Sequence, residues 1–474
     1  MQKYKKRSFF SLDLFSGCGG TALGIDAAGF ESIGHVEIDP VANKTLELNF
    51  GVSPLSSIKA ANGDVTKINL KVLKKELISH GINSLDLLVA SPPCQGFSAV
   101  GRAKLNSLSS KCFSKDPRNK LYKSVLEHIS FLKPKAVLFE NVPGMLNVRG
   151  INFAEIFCDE LNSLGYNVKV SLLNSSWYGV PQSRERVFIV GYRKDLGIAP
   201  KFPHKTHNVD NVGGAAVQPI RLGVQWKSPD YYIDPDSIPE IANVKLGVSA
   251  ENAFADLPKF QAHLKEGYRP SRDIVMNYED VPLNSYCSLM RNWPGFESDF
   301  LADHFCRRNP RDYPIFKKMK SGDTYPEALE IANAIWSLTK LDFSSGKISK
   351  LPLKNKVVPP YRSDSFAQKW RKLYPDRLSW TLTAHLEKDG YSHIHFDSKQ
   401  ARTITPREAA RLQSFPDGFK FHGTMGRMFK QIGNAIAPLV AEALAKQIIL
   451  DLQKSELSKP RSKRLGSNDV ESYS

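Results

Sequence analysis

Cys94 stands in Ser91-Pro-Pro-Cys-Gln-Gly-Phe-Ser98, directly after the apolar run 85–90. A cysteine that follows a buried strand and is held by two prolines sits where a nucleophile belongs. Most lone cysteines are inert core residues, but two prolines and a glycine suit a passive role badly. A carboxyl group ends a second apolar run, Ala136-Val-Leu-Phe-Glu-Asn-Val142. Burying Glu140 there is costly unless it has a function or a partner. A structural carboxylate bonded to backbone is the plainer reading. Gln182-Ser-Arg-Glu-Arg186 leads into Val187-Phe-Ile-Val190. The period of two in a strand puts Arg184 and Arg186 on one side. A solvated charge run is the plainer reading of that stretch.

Three further segments point to a ligand. Asp13-Leu-Phe-Ser-Gly-Cys-Gly-Gly20 lies where a first strand meets a first helix. Glycines there let backbone N–H groups approach a ligand, and a helix N-terminus favours an anion. Alone, this segment reads better as a plain turn. Glu37 follows at the end of the second strand, where an acidic residue commonly holds ribose hydroxyls. Gly63-Asp64-Val65 adds another acidic group after a short loop. Together they suggest a cofactor containing adenosine. The chain has no GxGxxG phosphate turn and no P-loop, which argues against a dinucleotide or a nucleoside triphosphate.

The elements that must position these residues alternate. Strands are expected at 9–15, 32–38, 85–90, 136–142, 166–173 and 186–192. Helices are expected between them at 21–28, 121–132 and 153–164. This alternation predicts an α/β fold, a doubly wound and mostly parallel sheet with helices on both faces. Ligands in such sheets bind outside the carboxyl ends of the strands, and the residues above follow strands. The expected organisation is a catalytic and cofactor-binding domain at 1–200 and an irregular second domain at 201–400. A segment returning to the catalytic domain then spans 401–453, and a disordered basic tail spans 454–474. The returning segment carries the capping box Thr405-Pro406-Arg407-Glu408 and a last helix at about 438–452. A polar, Ser- and Lys-rich stretch at 101–117 reads as a loop that closes over a substrate.

Composition bounds the partners. The 474 residues carry a formal net charge of +17, and 41% of them are hydrophobic. Such a surplus favours a polyanion, whose counterions are released on binding. The 6 cysteines form no CxxC pair, which argues against structural zinc and disulfides and for a reducing compartment. The first apolar run is too short for a signal peptide, and no stretch approaches a membrane span. A soluble, cytoplasmic protein is expected. His204/His207 and His393/His395 have no fitting acidic or cysteine partner, so roles at the surface or in contact with that polyanion are expected for them and no metal.

The order of these motifs resembles the DNA cytosine-5 methyltransferase family of the bacterial restriction–modification type. The glycine, Pro-Cys-Gln, Glu-Asn-Val and Gln-x-Arg-x-Arg motifs appear in order. Two late motifs follow, in Arg402-Thr-Ile-Thr-Pro-Arg-Glu-Ala-Ala-Arg-Leu-Gln-Ser-Phe-Pro416 and Gln431-Ile-Gly-Asn-Ala-Ile-Ala-Pro438. The resemblance covers roughly 8–200 and 377–450, with the family's variable target-recognition domain between. It implies S-adenosylmethionine as cofactor, cradled by Phe15, Ser16, Gly17, Gly19 and Gly20. Glu37 would take the ribose hydroxyls and Asp64 the adenine amino group, beside Ile38, Val65 and Pro92. Asn434 and Ala435 would return from the C-terminal segment to brace that region. Ile38 departs from the family, which often has an aromatic residue there, so adenine would meet aliphatic surface.

The resemblance also implies the chemistry. Cys94 would add to carbon 6 of cytosine, Glu140 would contact nitrogen 3 and the amine, and Arg186 would hold the carbonyl oxygen. Arg184 would support Glu140 or a phosphate. None of this can happen within a base stack, so the base must be flipped out. Gln95 and Ser98 would touch DNA. So would the stretch Arg377-Leu-Ser-Trp-Thr-Leu-Thr-Ala-His-Leu-Glu-Lys388, with Thr381 on a phosphate and His385, Glu387 and Lys388 on base edges. A hairpin of 380–384 with 391–396 and a merely solvated tip is the alternative there. The expected partner is duplex DNA, with a restriction endonuclease acting on the same site and no physical complex with it. The enzyme is expected to be a monomer associated with the nucleoid. No regulatory module precedes the motifs, which favours a bacterial or phage enzyme. RNA methyltransferases with two active-site cysteines are not matched, and the small insert of tRNA-directed relatives is unlike the long region after 200. A DNA-binding but inactive member is opposed by intact Cys94, Glu140 and Arg186.

Overall fold

The computed structural model describes residues 8–93, 119–148, 150–212, 226, 228–271, 274–279, 281–362 and 369–458. Cys94, Gln95, Ser98, the expected loop at 101–117 and residues 459–474 lie outside the described residues; the first part of the expected disordered tail, 454–458, is instead helical.

A six-stranded sheet carries the first part, in the order β2-β1-β3-β4-β7-β5. Its strands are β1 (Phe9–Leu14), β2 (Phe30–Val36), β3 (Leu87–Ala90), β4 (Ala136–Asn141), β5 (Tyr166–Asn174) and, after the two-residue β6 (Gln182–Ser183), β7 (Glu185–Arg193). The first four pair in parallel, and β7 runs antiparallel to both β4 and β5. Every strand expected from the sequence is present, with no end moved by more than two residues.

Alternation decides the two faces. Leu12, Leu14, Leu88, Ala90, Val137 and Phe139 enter one apolar core, while Phe9, Leu87, Val89, Ala136 and Leu138 enter the other. The first core is closed by α3 (Ser56–Ala60), α4 (Leu70–Ser79), α5 (Asn119–Leu132) and α6 (Phe153–Ser163). The second is closed by α1 (Gly20–Ala28) and the last helix, so the chain's end does return to the sheet. A side chain at Gly24 would collide with the Pro438 carbonyl at 2.2 Å. That glycine lets α1 and the last helix touch backbone to backbone. Between β2 and α3 lies α2 (Pro40–Phe50), capped by Asp39, whose carboxylate accepts from Val41 N at 3.0 Å.

The second part contains the short strands β8 (Lys205–Asn208), β9 (Glu240–Leu246) and β10 (Ser379–Trp380). Its helices are α7 (Ala250–Phe254), α8 (Ser285–Arg291), α9 (Tyr313–Lys318) and α10 (Tyr325–Ser344). The 20-residue α10 was not expected from the sequence. A capping box of Thr324 and Glu327 opens it, but its buried residues are few, and Leu338 and Leu341 face solvent. Its core face, Tyr325, Ala328 and Ala332 with Leu329 and Ile335 packed beside them, is blurred in sequence by these apolar residues on the other side. The chain finishes with α11 (Pro406–Leu412), α12 (Met425–Asn434) and α13 (Pro438–Ser458). One core joins residues of α7, α8, 301–306 and 373–386 to α11 and α12, and reaches Cys18 and Leu23 of the first part.

Two expectations are corrected. No hairpin forms over 380–396: β10 pairs in parallel with β6, residues 384–387 form a helical turn, and Ile394 bridges Lys372 and Thr403. His393 and His395 are not at the surface but buried. Their rings are satisfied inside, His393 against the Trp380 carbonyl at 3.3 Å and His395 accepting from Asp397 N at 3.0 Å. Among the described residues no helix is long and apolar enough to cross a membrane.

Candidate active site

The glycine turn after β1 is shaped by positive φ angles at Phe15 (63°), Gly17 (57°) and Gly19 (97°). Ser16 is buried, and its hydroxyl works inside the turn, donating to Asp13 O at 2.9 Å and accepting from Val36 N at 3.2 Å. This stitches the ends of β1 and β2 together, so Ser16 has a scaffold task rather than a free hydroxyl for a ligand. Gly20 packs under the C-terminal segment, where a Cβ would meet Ile436 O at 2.4 Å; Gly17 has nothing within 4 Å of that position. Only Gly17 thus opens the turn to a ligand, while Gly19 and Gly20 serve packing.

Glu37 follows β2 and is bound to that turn. Its two carboxylate oxygens accept from Gly17 N at 2.8 Å and Asp39 N at 2.7 Å. Burial raises its pKa against those hydrogen bonds. Gly63 presses on it from the next loop: a Cβ there would lie 2.0 Å from Glu37 O. The Asp64 carboxylate beyond accepts from the Thr66 hydroxyl at 2.7 Å and pairs with Lys67 at 3.2 Å. The Thr66 bond, first among the causes, holds its pKa low. Ile38 is 65% exposed, whereas Val65 is in the core.

These residues fit an adenosyl cofactor with a cationic end. Glu37 keeps unused lone pairs for hydroxyls, and Ile38 offers bare aliphatic surface. Beneath the turn, Asp13 is 2% exposed, and among the described residues neither carboxyl oxygen has a hydrogen-bond partner. Burial raises its pKa to about 8, a cost that a nearby positive charge relieves.

The stretch leading to Cys94 is tied down on both sides. Ser91 donates its hydroxyl to Phe15 O at 3.1 Å, and Asn141 donates its amide to Pro92 O at 3.2 Å. The sequence placed Asn141 at a strand end without a role; here it anchors the proline pair. On the same strand Glu140 meets Arg186 Nε at 3.1 Å. Burial pushes the Glu140 carboxyl up, and Arg186, then Arg184, pull it back.

Arg184 does something else. Fully buried, it donates to Leu382 O at 2.7 Å, Gly433 O at 3.0 Å and Ala435 O at 3.1 Å. Gln182 joins it, donating to Leu412 O at 3.0 Å and accepting from Leu382 N at 2.7 Å. Gln413 adds a bond to Ala435 O at 2.6 Å. Of the two roles expected for Arg184, its burial corrects the phosphate contact, while its charge does favour the Glu140 carboxylate; its hydrogen bonds fasten the second part and the C-terminal segment to the sheet. Gln182 was missed as a functional residue, although its parity with Arg184 was visible in the motif. Ala435 enters through its backbone carbonyl, and Asn434 is exposed at the end of α12.

The proposed reading loop lies beside this clamp. Thr381 donates its hydroxyl to Ser183 O at 2.8 Å, leaving its lone pairs outward. His385 and Lys388 are exposed and Glu387 is half-buried.

The family model for C-5 cytosine-specific DNA methylase matches residues 9–450. M.OihORF3336P of Oceanobacillus iheyensis is 36% identical over 93% of this chain and 95% of its own length. The type II methyltransferase M.AgeI of Thalassovita gelatinovora is 30% identical over 92% of this chain and 98% of its own. A solved E. coli chain encoded within a prophage shares the fold, with 22% identity and a TM-score of 0.62 over 94% of this chain and 100% of that one. With its sheet, its motifs and nearly its whole length matched, the chain belongs to the C-5 cytosine-specific DNA methylase family and is a DNA cytosine-5 methyltransferase.

Proposed function

We propose that this methyltransferase uses S-adenosylmethionine to methylate a flipped-out cytosine within one duplex sequence, through a covalent adduct at Cys94. The observation that carries this is the partly buried Glu140–Arg186 pair at the end of β4, beside the anchored prolines that precede Cys94. When bound, the cofactor supplies an electrophilic methyl group. Phe15, Gly17, Glu37, Ile38 and Asp64 are the residues to hold it.

Carbon 5 of cytosine is a weak nucleophile until a group adds to carbon 6. The Cys94 thiolate forms that bond. The displaced electron pair runs towards nitrogen 3, where the raised pKa of Glu140 suits it to give or share a proton. Arg186 holds the carbonyl oxygen. After carbon 5 has taken the methyl group, a base removes its proton and the thiolate leaves. The formal charge of +17 favours the DNA backbone and makes much of the affinity salt-dependent. The enzyme acts as a monomer in the cytoplasm, near the nucleoid. Its biological task is to protect sites from a restriction endonuclease without binding that nuclease, as the type II names of its relatives suggest.

The test is to offer DNA with 5-fluorocytosine at the target, since fluorine cannot leave as a proton. A covalent adduct at Cys94 is expected for the native enzyme and none for Cys94→Ser, with cofactor binding intact in both. No adduct on the native enzyme refutes the mechanism. Bisulfite sequencing of DNA from expressing cells identifies the methylated site.

A further inference from the structure

Helix α12 touches both the cofactor side and the DNA side of the molecule. On one flank Lys430 Nζ lies 3.0 Å from Asp39 Oδ2, and Gln431 Oε1 accepts from the Thr45 hydroxyl at 2.6 Å. On another it carries two glycines seven residues apart, which fall on one face of a helix. A Cβ at Gly433 would lie 2.4 Å from Thr383 C, and one at Gly426 would lie 2.9 Å from Glu387 O. The segment 383–387 is thus laid along α12 in backbone contact. Arg307 grips it as well, donating to Leu386 O at 3.0 Å and Glu387 O at 2.6 Å.

Arg427 stands between the two flanks. Its guanidinium lies 3.8 Å from Asp39 Oδ2 and 3.9 Å from Glu387 Oε1. Asp39 is also the residue whose N–H holds Glu37. The chain of contacts therefore runs from Glu37 through Asp39 and Arg427 to Glu387.

We propose that Arg427 is a positioning residue that orients Glu387 for base reading and ties it to the ribose site, so that cofactor and target DNA strengthen each other's binding. This rests on the roles assigned above to Glu37 and Glu387. The side chains of Arg427 and Glu387 are 44% and 38% exposed, so water weakens their attraction in the free protein. DNA laid over them excludes water and strengthens it. Ribose hydroxyls on Glu37 fix the Asp39 turn, and Asp39 fixes the guanidinium. Binding energies coupled in this way are reciprocal.

The test measures the affinity of target duplex with and without S-adenosylhomocysteine. In the native enzyme the cofactor product should tighten DNA binding by about 5- to 150-fold, the usual span of such coupling. Arg427→Gln should bring that ratio near one and leave affinity for S-adenosylhomocysteine alone unchanged. It should also relax the target at the same base pair as Glu387→Ala. Arg427→Lys should retain part of the coupling. A ratio near one in the native enzyme, or an undiminished ratio in Arg427→Gln, overturns the proposal. So does uniform weakening of all DNA by Arg427→Gln at an undiminished ratio, which would make it a phosphate contact. Two controls keep the underlying reading separate: Glu37→Ala must lose affinity for S-adenosylhomocysteine, and Glu387→Ala must alter the target. Failure of either refutes the assigned roles and the link with them.

Discussion

The Glu140 carboxylate meets the Arg186 guanidinium diagonally across two antiparallel strands. Glu140 lies opposite Phe188, and Arg186 is two residues along on the same face, 3.1 Å away. Diagonal neighbours in a sheet are within reach of long side chains. The reversal of β7 is what makes the pair: it brings the start of that strand to the carboxyl end of β4.

The pair sets a pH dependence. Replacing Glu140 by Gln keeps its size and removes the proton, so turnover should fall ~100-fold or more with DNA affinity little changed. If protonated Glu140 is the acid, activity declines as pH rises through its pKa. Arg186 holds that pKa down against burial. Arg186→Ala should therefore move the alkaline limb of kcat/KM to higher pH, beneath a lower maximum. A limb that stays in place in this variant would put the proton on another group.

Arg184 should matter for stability more than for proton transfer. Arg184→Met leaves the carbonyls of Leu382, Gly433 and Ala435 without this donor. Each buried unsatisfied group costs about 1–3 kcal/mol. Ala435 O keeps its bond from Gln413, so two carbonyls lose their side-chain donor and a loss of at least ~2 kcal/mol is expected in urea unfolding, against much less for Arg186→Met. Equal losses for both would deny the clamp.

Acid should weaken the fold early. Burial lowers the pKa of His304 to about 4 and those of His393 and His395 to about 3. Below the ordinary value of 6.5 the unfolded chain takes up protons that the folded chain refuses until much lower pH. Stability therefore falls as pH drops from about 6.5, by about 2 kcal/mol per histidine at pH 5. Glu408, held low against burial by the Arg402 guanidinium, adds a loss below its unfolded pKa near 4.5. Thermal melts at pH 7.5 and 5 should show a marked drop, reduced in His395→Phe. A flat profile would mean that these rings are charged in the fold.

The sheet was legible because its strands are buried on both faces and punctuated by Gly, Pro and acidic residues. The capping box at Thr405 was legible for a similar reason: local chemistry announces it, and both reciprocal bonds form, Glu408 N to Thr405 Oγ1 at 3.1 Å and Thr405 N to Glu408 Oε2 at 2.8 Å. Motif residues that face a ligand could be named, but motif residues that face protein looked the same. Ser16 and Arg184 carry polar groups at the expected places, and only long-range partners reveal that they are spent inside. His393 and His395 were misjudged because burial of an imidazole depends on acceptors far along the chain. α10 carries apolar residues on its exposed side as well as on its core face, so periodicity did not single it out.

The reading loop offers the sharpest test of specificity. The segment after β10 is not a floppy hairpin tip: Arg307 holds the carbonyls of Leu386 and Glu387, and Gly433 lets α12 lie against Thr383. A loop fixed by its backbone leaves its side chains to do the reading. His385 and Lys388 are exposed, and among the described residues the Glu387 carboxylate meets a distant partner in Arg427. Glu accepts from the cytosine amine and Lys donates to guanine. Glu387→Ala or Lys388→Ala should therefore cost about 1–3 kcal/mol at one base pair and relax the target there. Thr381 behaves differently. Its hydroxyl already donates to Ser183 O, so it can only accept from DNA, and a phosphate oxygen accepts as well. The phosphate role expected from sequence then needs that hydroxyl to turn away from Ser183 when DNA binds. If it turns, Thr381→Ala weakens all duplexes alike and leaves the target unchanged. If it stays, Thr381→Ala lowers stability without altering DNA affinity. Bisulfite profiles of each variant on random-sequence DNA, with melting curves beside them, distinguish these outcomes. An unaltered target for both Glu387→Ala and Lys388→Ala would move base reading elsewhere in 201–400.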